Sequence, residues 1–224
     1  MAMKLRHTEV GLPAGDSWLD GILAHAPLVP GLVVIADRTG STLAVARGAF
    51  LNNALQAAGF ATLHLGLLSH DEERHAPDTW NQVPTLVARL AAVLDWIRHQ
   101  SALKDLPLGI LARDTAAAAM IRVAVRNPEP LRALACRGGR PDLAGMEPLR
   151  ALTVPLLLVA GEQDSEAGPQ NRQVHGLLSC PKELIVVPGA SHAFEEPGTL
   201  DEASRHIVRW FARWLASEGA DPPA

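Results

Sequence analysis

The sequence predicts an α/β domain: a mainly parallel sheet of eight strands with helices on both faces and an antiparallel hairpin at its N-terminal edge. Two observations lead there. Short apolar runs alternate with longer segments of helical periodicity, the pattern of a parallel sheet covered on both sides. The first two runs are separated only by the turn residues "AGDS", which leaves no room for a helix and makes them a hairpin.

Taken in order, "TEVGLP" and "WLDGILAH" are the hairpin strands. "GLVVIAD" (31 to 37) and "ATLHLGLL" (61 to 68) follow, joined by a helix near 44 to 58. A helix over 82 to 100 leads to "PLGILA" (107 to 112), and an Ala-rich helix over 115 to 126 leads to "LRALAC" (131 to 136). "VPLLLVAG" (154 to 161), a helix over 168 to 178, "KELIVVPG" (182 to 189) and a helix over 200 to 217 complete the pattern. In each helix apolar residues recur at three and four. The last carries Ile207, Trp210, Phe211, Trp214 and Leu215 on one face, as packing residues. Pro, Gly and charged residues cluster at 69 to 79 and 138 to 153, predicting loops or short excursions. One domain over 1 to 218 and a flexible tail over 219 to 224 are expected, with no cap-sized insertion between the sixth and seventh strands.

With 224 residues and 48% hydrophobic content the chain can bury a substantial core. The net charge of -4 is not gathered into blocks of either sign, which argues against nucleic acid and against a polybasic membrane contact. A small-molecule substrate is the expected partner; homo-oligomerisation stays open. No signal-peptide or membrane-spanning run is found, so the expected location is the cytoplasm. Cys136 and Cys180 are read as reduced thiols. His64, His70 and His75 follow no metal-binding spacing, and no phosphate-binding glycine motif opens a helix, so neither metal nor cofactor is expected.

Ligands of parallel sheets bind beyond the carboxyl ends of the strands. Three residues there make a pattern: Asp114 after the fifth strand, Asp164 after the seventh in "VAGEQDS", and His192 after the eighth in "VPGASHAFEEPG". Nucleophile, acid, histidine is the chain order of the α/β-hydrolase fold. The chain resembles the cap-less, dienelactone-hydrolase-like branch of that superfamily through "GSTLAVARGAFLNNALQAAGFATLHLGLL", "LGILARDTAAAAM", "CRGGRPDLAG" and "VPGASHAFEEPGTL". Some members of that branch are fused to phosphoribosyltransferases. The resemblance implies that Asp164 is the triad acid, that His192 is the base, and that Asp114 stands where the relatives carry a serine.

Two departures accompany the match. The turn reads Ala112-Arg113-Asp114-Thr115-Ala116, with alanines replacing the flanking glycines. After the third strand the relatives have a His-Gly pair that opens the oxyanion loop, whereas this chain has Asp37-Arg38 before Thr39-Gly40-Ser41. Asp37, Arg38, Thr39, Arg113 and the Thr115 N–H are accordingly the candidate oxyanion and substrate-binding groups. Two readings of Asp114 stand side by side. Aspartate is a favoured helix N-cap and tolerates the left-handed conformation of such a turn; it is also an ionised carboxylate able to attack an electrophilic carbon.

The nucleophile reading suits carbon–halogen and epoxide substrates. It suits ordinary esters less well, because attack on them would form a mixed anhydride. His192, oriented by Asp164, would then activate the water that hydrolyses the ester on Asp114. The epoxide enzymes of this superfold use cap-domain tyrosines, and the chain contains no tyrosine. For a halide, Trp80, Arg38 and Arg113 are the conceivable donors. Glu195 and Glu196 are read as a solvated lead-in to the last helix, and Arg38, Arg113 and Arg140 as surface or ion-pair arginines more often than substrate clamps. The alternatives are a degenerate hydrolase scaffold that binds a small molecule or a protein, and direct water attack with Asp114 only positioning the water.

Overall fold

The computed structural model describes residues 5–38, 42–69, 72 and 83–215, with the backbone alone for 42–48. Its strands are β1 (Arg6–Ala14), β2 (Ser17–His25), β3 (Leu32–Asp37), β4 (Ala61–Gly66), β5 (Leu108–Asp114), β6 (Leu131–Gly139), β7 (Leu156–Gly161) and β8 (Lys182–Val187). The helices are α1 (Thr42–Ala57), α2 (Val83–Arg98), α3 (Ala116–Arg126), α4 (Met146–Ala151), α5 (Ala167–Leu177) and α6 (Thr199–Leu215). The strands form one sheet in the order β1-β2-β4-β3-β5-β6-β7-β8. β1 and β2 make the predicted hairpin about Gly15-Asp16, and β2 runs antiparallel to β4. From β4 to β8 every pairing is parallel.

The layers follow from the two-residue period of a strand. Leu32, Val34, Ile110, Leu134 and Leu156 face one side, where they pack with Leu86, Leu90 and Val93 of α2 and the alanines of α3. Val33, Ile35, Leu111, Ala133 and Leu157 face the other, against Leu51 and Leu55 of α1 and Ile207, Trp210 and Phe211 of α6. Trp210 also donates its indole N–H to Leu134 O at 2.9 Å, so both ends of this amphipathic ring are used.

Gly109 in β5 lies under that aromatic cluster; a Cβ there would sit 2.5 Å from Phe211 Cε1. Gly109→Ala is expected to cost about 1–3 kcal/mol by overpacking, read as a fall in Tm with the fold retained by circular dichroism.

The segment 138 to 153, expected as loops or short excursions, contains a 3₁₀ turn (Pro141–Ala144) and the six-residue α4. Pieces of one or two turns are too short to display a helical period. Arg122 of α3 holds the 3₁₀ turn by donating to Ala144 O and Leu143 O. Strands β5 and β6 also run two and three residues beyond the predicted ends, because polar residues at the sheet rim still pair. Thr39, Gly40, Ser41, His70, His75, Trp80 and the 219–224 tail lie outside the described residues.

Candidate active site

Asp114 is the last residue of β5 and has φ 49, the left-handed region that aspartate tolerates. The pairing of β5 with β6 shifts register between Ala112 and Asp114, an irregularity at the strand end after which Asp114 still pairs with Gly139. Its backbone stays tied down, since Arg140 N–H donates to Asp114 O at 2.9 Å. The N-cap of α3 is Thr115, and no side-chain cap bond is made there. The capping reading is thereby corrected: Asp114 stands one residue too early, and its Oδ1 faces His192 Nε2 at 3.4 Å.

Asp164, three residues past β7, is buried. Its Oδ1 accepts the N–H groups of Glu166 and Ala167 (3.2 and 2.8 Å) at the start of α5. Its Oδ2 lies 2.7 Å from His192 Nδ1. His192 sits on the turn after β8, which Glu196 braces by accepting the Ser191 N–H at 2.9 Å. The imidazole therefore lies between two carboxylates from positions 28 and 78 residues away.

This setting favours the imidazolium. The hydrogen bond with Asp114 raises the His192 pKa against the opposing effect of burial, the Asp164 bond and both carboxylate charges add to it, and the result is about 9. Burial pushes Asp114 upward, but the His192 bond and the charges of Arg113, Arg38 and His192 outweigh it and hold the carboxyl below its ordinary value. At neutral pH these shifts favour an ionised Asp114 beside a protonated His192.

The linked stability has a definite sign. His192 is raised above its ordinary 6.5, so its contribution is complete below that pH and is lost as pH rises through about 9. Asp114 and Glu72 are lowered from 3.8 and 4.5, and their contributions fade as pH falls below those values. Glu72 owes its shift chiefly to the buried Arg89. The summed contribution of these three groups is expected to be level between about 4.5 and 6.5, while His175 and His206, lowered from 6.5 chiefly by burial, add a loss of stability as pH falls below that value. A pH series on His192→Ala should lack this histidine's share of the alkaline decline.

The other candidate residues gather at the ends of β3, β4 and β5. Asp37 is 3% exposed. Its Oδ1 accepts Arg113 Nε at 2.6 Å, and its Oδ2 is bonded to His64 Nε2 at 2.9 Å. Both oxygens are engaged by the protein. Arg113 and Asp37 line a cleft with Ile35, Leu51, Leu111, Ala112 and Arg137. Arg38 is close enough for its charge to act on Asp114, and Thr115 directly follows the carboxylate. Thr39 is outside the described residues.

The "CRGGRPDLAG" glycines serve close packing. A Cβ on Gly138, whose φ is 52, would lie 2.6 Å from His192 O, and one on Gly139 would lie 2.4 Å from Cys136 Sγ. Arg140 forms a bidentate pair with Asp142 at 2.9 and 2.8 Å. Cys136, buried behind the site, has its thiol pushed up to about 12 by desolvation, and both cysteines are free and buried. Among the described residues no three His, Cys, Asp or Glu side chains are grouped to hold a metal ion, and no helix is long and apolar enough to cross a membrane. Sequence reasoning passed over His64, Glu196 and Asn171. His64 offered no metal spacing and Glu196 no sign beyond helix-leading charge, while Asn171 sits in a plain amphipathic helix.

No protein-family model matches the chain. It is 35% identical over 215 residues to proteins from two strains of Mycobacterium tuberculosis whose names propose a phosphoribosyl transferase. The match takes in 96% of this chain and 48% of theirs, so the chain spans about half the length of these curated relatives. Est1E from Butyrivibrio proteoclasticus shares the fold, with a TM-score of 0.77 at 13% identity over 93% of this chain and 99% of that one. A dienelactone hydrolase from Anabaena variabilis superimposes with a TM-score of 0.89 at 31% identity, covering 95% of this chain and 100% of that one. With the strand order, the turn after β5 and the His192–Asp164 pair already in view, this likeness over the full length of a solved relative identifies the chain as a member of the dienelactone-hydrolase family of the α/β-hydrolase fold.

Proposed function

We propose that this protein is a hydrolase of small electrophilic substrates in which Asp114 is the nucleophile and His192 with Asp164 activates water. The observation that carries the reading is the Asp114 carboxylate, held in a left-handed turn at a strand end and facing an imidazole anchored from behind by a buried aspartate. A carboxylate lone pair attacks carbon directly; the C–O bond forms as the carbon–halogen or epoxide C–O bond breaks, and the electron pair leaves with the halide or alkoxide. The enzyme then carries a neutral ester at Asp114.

Ester formation also changes His192. The hydrogen bond and charge of Asp114, which help keep the imidazole protonated, disappear when the carboxylate is esterified. His192 then loses its proton to solvent, still oriented by Asp164, and takes one from the water attacking the ester carbonyl. Collapse of the tetrahedral adduct releases the alcohol, whose oxygen takes the proton from His192, and the carboxylic acid left at Asp114 then returns its proton to the imidazole, restoring the starting carboxylate and imidazolium. The same histidine is thus protonated while Asp114 attacks and basic once Asp114 is blocked. Halides and epoxides fit this cycle better than carboxylic esters.

A single turnover in oxygen-18 water tests the route. Label should enter the Asp114 carboxylate, because water attacks the enzyme's carbonyl carbon, and Asp114→Asn should abolish turnover. Product formed without label in Asp114 would assign the attack to water itself. The second reading, a binding scaffold, is favoured by one feature: both oxygens of Asp37 are engaged by Arg113 and His64, where the family's oxyanion loop begins. Absence of turnover and of adduct across haloacids, haloalkanes and epoxides would put that reading ahead.

A further inference from the structure

Asn171, in α5, is 1% exposed and touches neither Asp114, His192 nor Asp164 by a hydrogen bond. Its Nδ2 donates to Gly139 O at 3.1 Å and to Ala167 O at 2.7 Å, while its Oδ1 is buried without a hydrogen-bond partner. An orphaned buried carbonyl costs roughly 1–3 kcal/mol, a cost that an apolar side chain of similar volume would avoid. What asparagine supplies here, and leucine would not, is the pair of N–H donors.

Their targets are specific. Gly139 O belongs to the same peptide group as Arg140 N–H, which donates to Asp114 O, so one peptide plane joins Asn171 to the backbone of the nucleophile. Ala167 O belongs to the residue whose N–H donates to Asp164 Oδ1. The connections then close through Asp164 Oδ2, His192 Nδ1, His192 Nε2 and Asp114 Oδ1. Asn171 completes a ring of contacts whose front is the reacting triad and whose back is this one side chain. β6 and α5 carry no residue of the triad themselves, yet Asn171 links them directly.

We infer that Asn171 is a positioning residue that couples the turn bearing Asp114 to the helix start bearing Asp164, and so sets the gap in which His192 works. The inference rests on the proposed role of the triad, but its test reads the geometry without a substrate. The groups facing His192 are the Asp114 and Asp164 carboxylates, with Arg113 and Arg38 charges beside Asp114. If the two carboxylates drift from the imidazole, its titration moves down toward the ordinary histidine value.

Asn171→Ser is the informative variant, because a serine hydroxyl can still bond back to the carbonyl four residues earlier in its own helix but cannot reach across to Gly139. Asn171→Leu removes both donors. Imidazole nitrogen NMR of the whole chain is expected to show the His192 titration lowered in Asn171→Ser by roughly half a unit or more while Tm stays near wild type, and lowered further in Asn171→Leu. Where an alkylating substrate is found, burst formation of the Asp114 ester should slow about tenfold with little change in KM. A His192 titration unchanged in Asn171→Ser, with the variant folded, overturns the inference and makes Asn171 a helix-packing residue. If Asn171→Leu does not fold, Asn171→Ser decides alone. Failure of wild type to form any adduct while Asn171→Ser still shifts His192 would count against the nucleophile and leave the positioning role standing.

Discussion

His192→Ala, exposed to small haloalkanes, haloacids and epoxides, is expected to accumulate an ester on Asp114 that wild type clears. Attack on carbon needs only the ionised carboxylate, which Arg113 and Arg38 continue to favour after the imidazole is gone. Hydrolysis of the ester needs a base within reach of its carbonyl, and His192 Nε2, 3.4 Å from Asp114 Oδ1, is the group in that position. The variant should therefore alkylate once and stop, with steady-state turnover down at least about a thousandfold. Intact-mass spectrometry should show a stoichiometric adduct, and peptide mapping should place it between residues 113 and 122. Loss of alkylation together with turnover would mean that His192 acts in the first step, as it would if water were the nucleophile.

Asp37 gives the largest expected effect on stability. Its carboxylate side chain is 4% exposed and its partner Arg113 is 18% exposed, so Asp37→Leu leaves a mostly desolvated guanidinium without its counter-charge and removes the acceptor for His64. Breaking such a pair from one side costs about 3–5 kcal/mol, which for a chain of this size lowers Tm by roughly 6–20 °C. Adding Arg113→Met should recover part of that loss, because the orphaned charge goes with it; strict additivity in the double-mutant cycle would show that the pair is not coupled. The same cycle separates the two functional readings. If Asp37 and Arg113 only brace the strand ends, the double variant should keep ester formation on Asp114, whereas a direct role in holding substrate or leaving group would abolish it.

Much of the molecule was legible in local pattern. Eight apolar runs matched eight strands, and the absence of a helix between the first two predicted the edge hairpin. Periodicity reports burial, and burial is repeated along every element, so it survives even where ends are misjudged by two or three residues. The three-residue order Asp114, Asp164, His192 was also readable, because a parallel sheet delivers the residue after each strand to one rim. The cap-or-nucleophile question was different. A left-handed φ at Asp114 turns the carboxylate away from α3 and toward His192, beside a register shift against β6, and both depend on how β5 meets β6.

What the sequence by itself determined is the set of elements, their order along the chain and the candidate residues at the strand ends, since each is encoded within a window of a few residues. Only the tertiary structure decided how those residues are shared out. Asp37 is joined to His64 27 positions away and to Arg113 76 away, and Asn171 reaches Gly139 32 away. None of these contacts leaves a periodic trace, because a hydrogen bond between single side chains on different elements depends on strand order and register and not on any local spacing. The physical reason is geometric: hydrophobic burial is collective and repeats along the chain, whereas the polar contacts that orient a site are single, directional and made only after the sheet has closed.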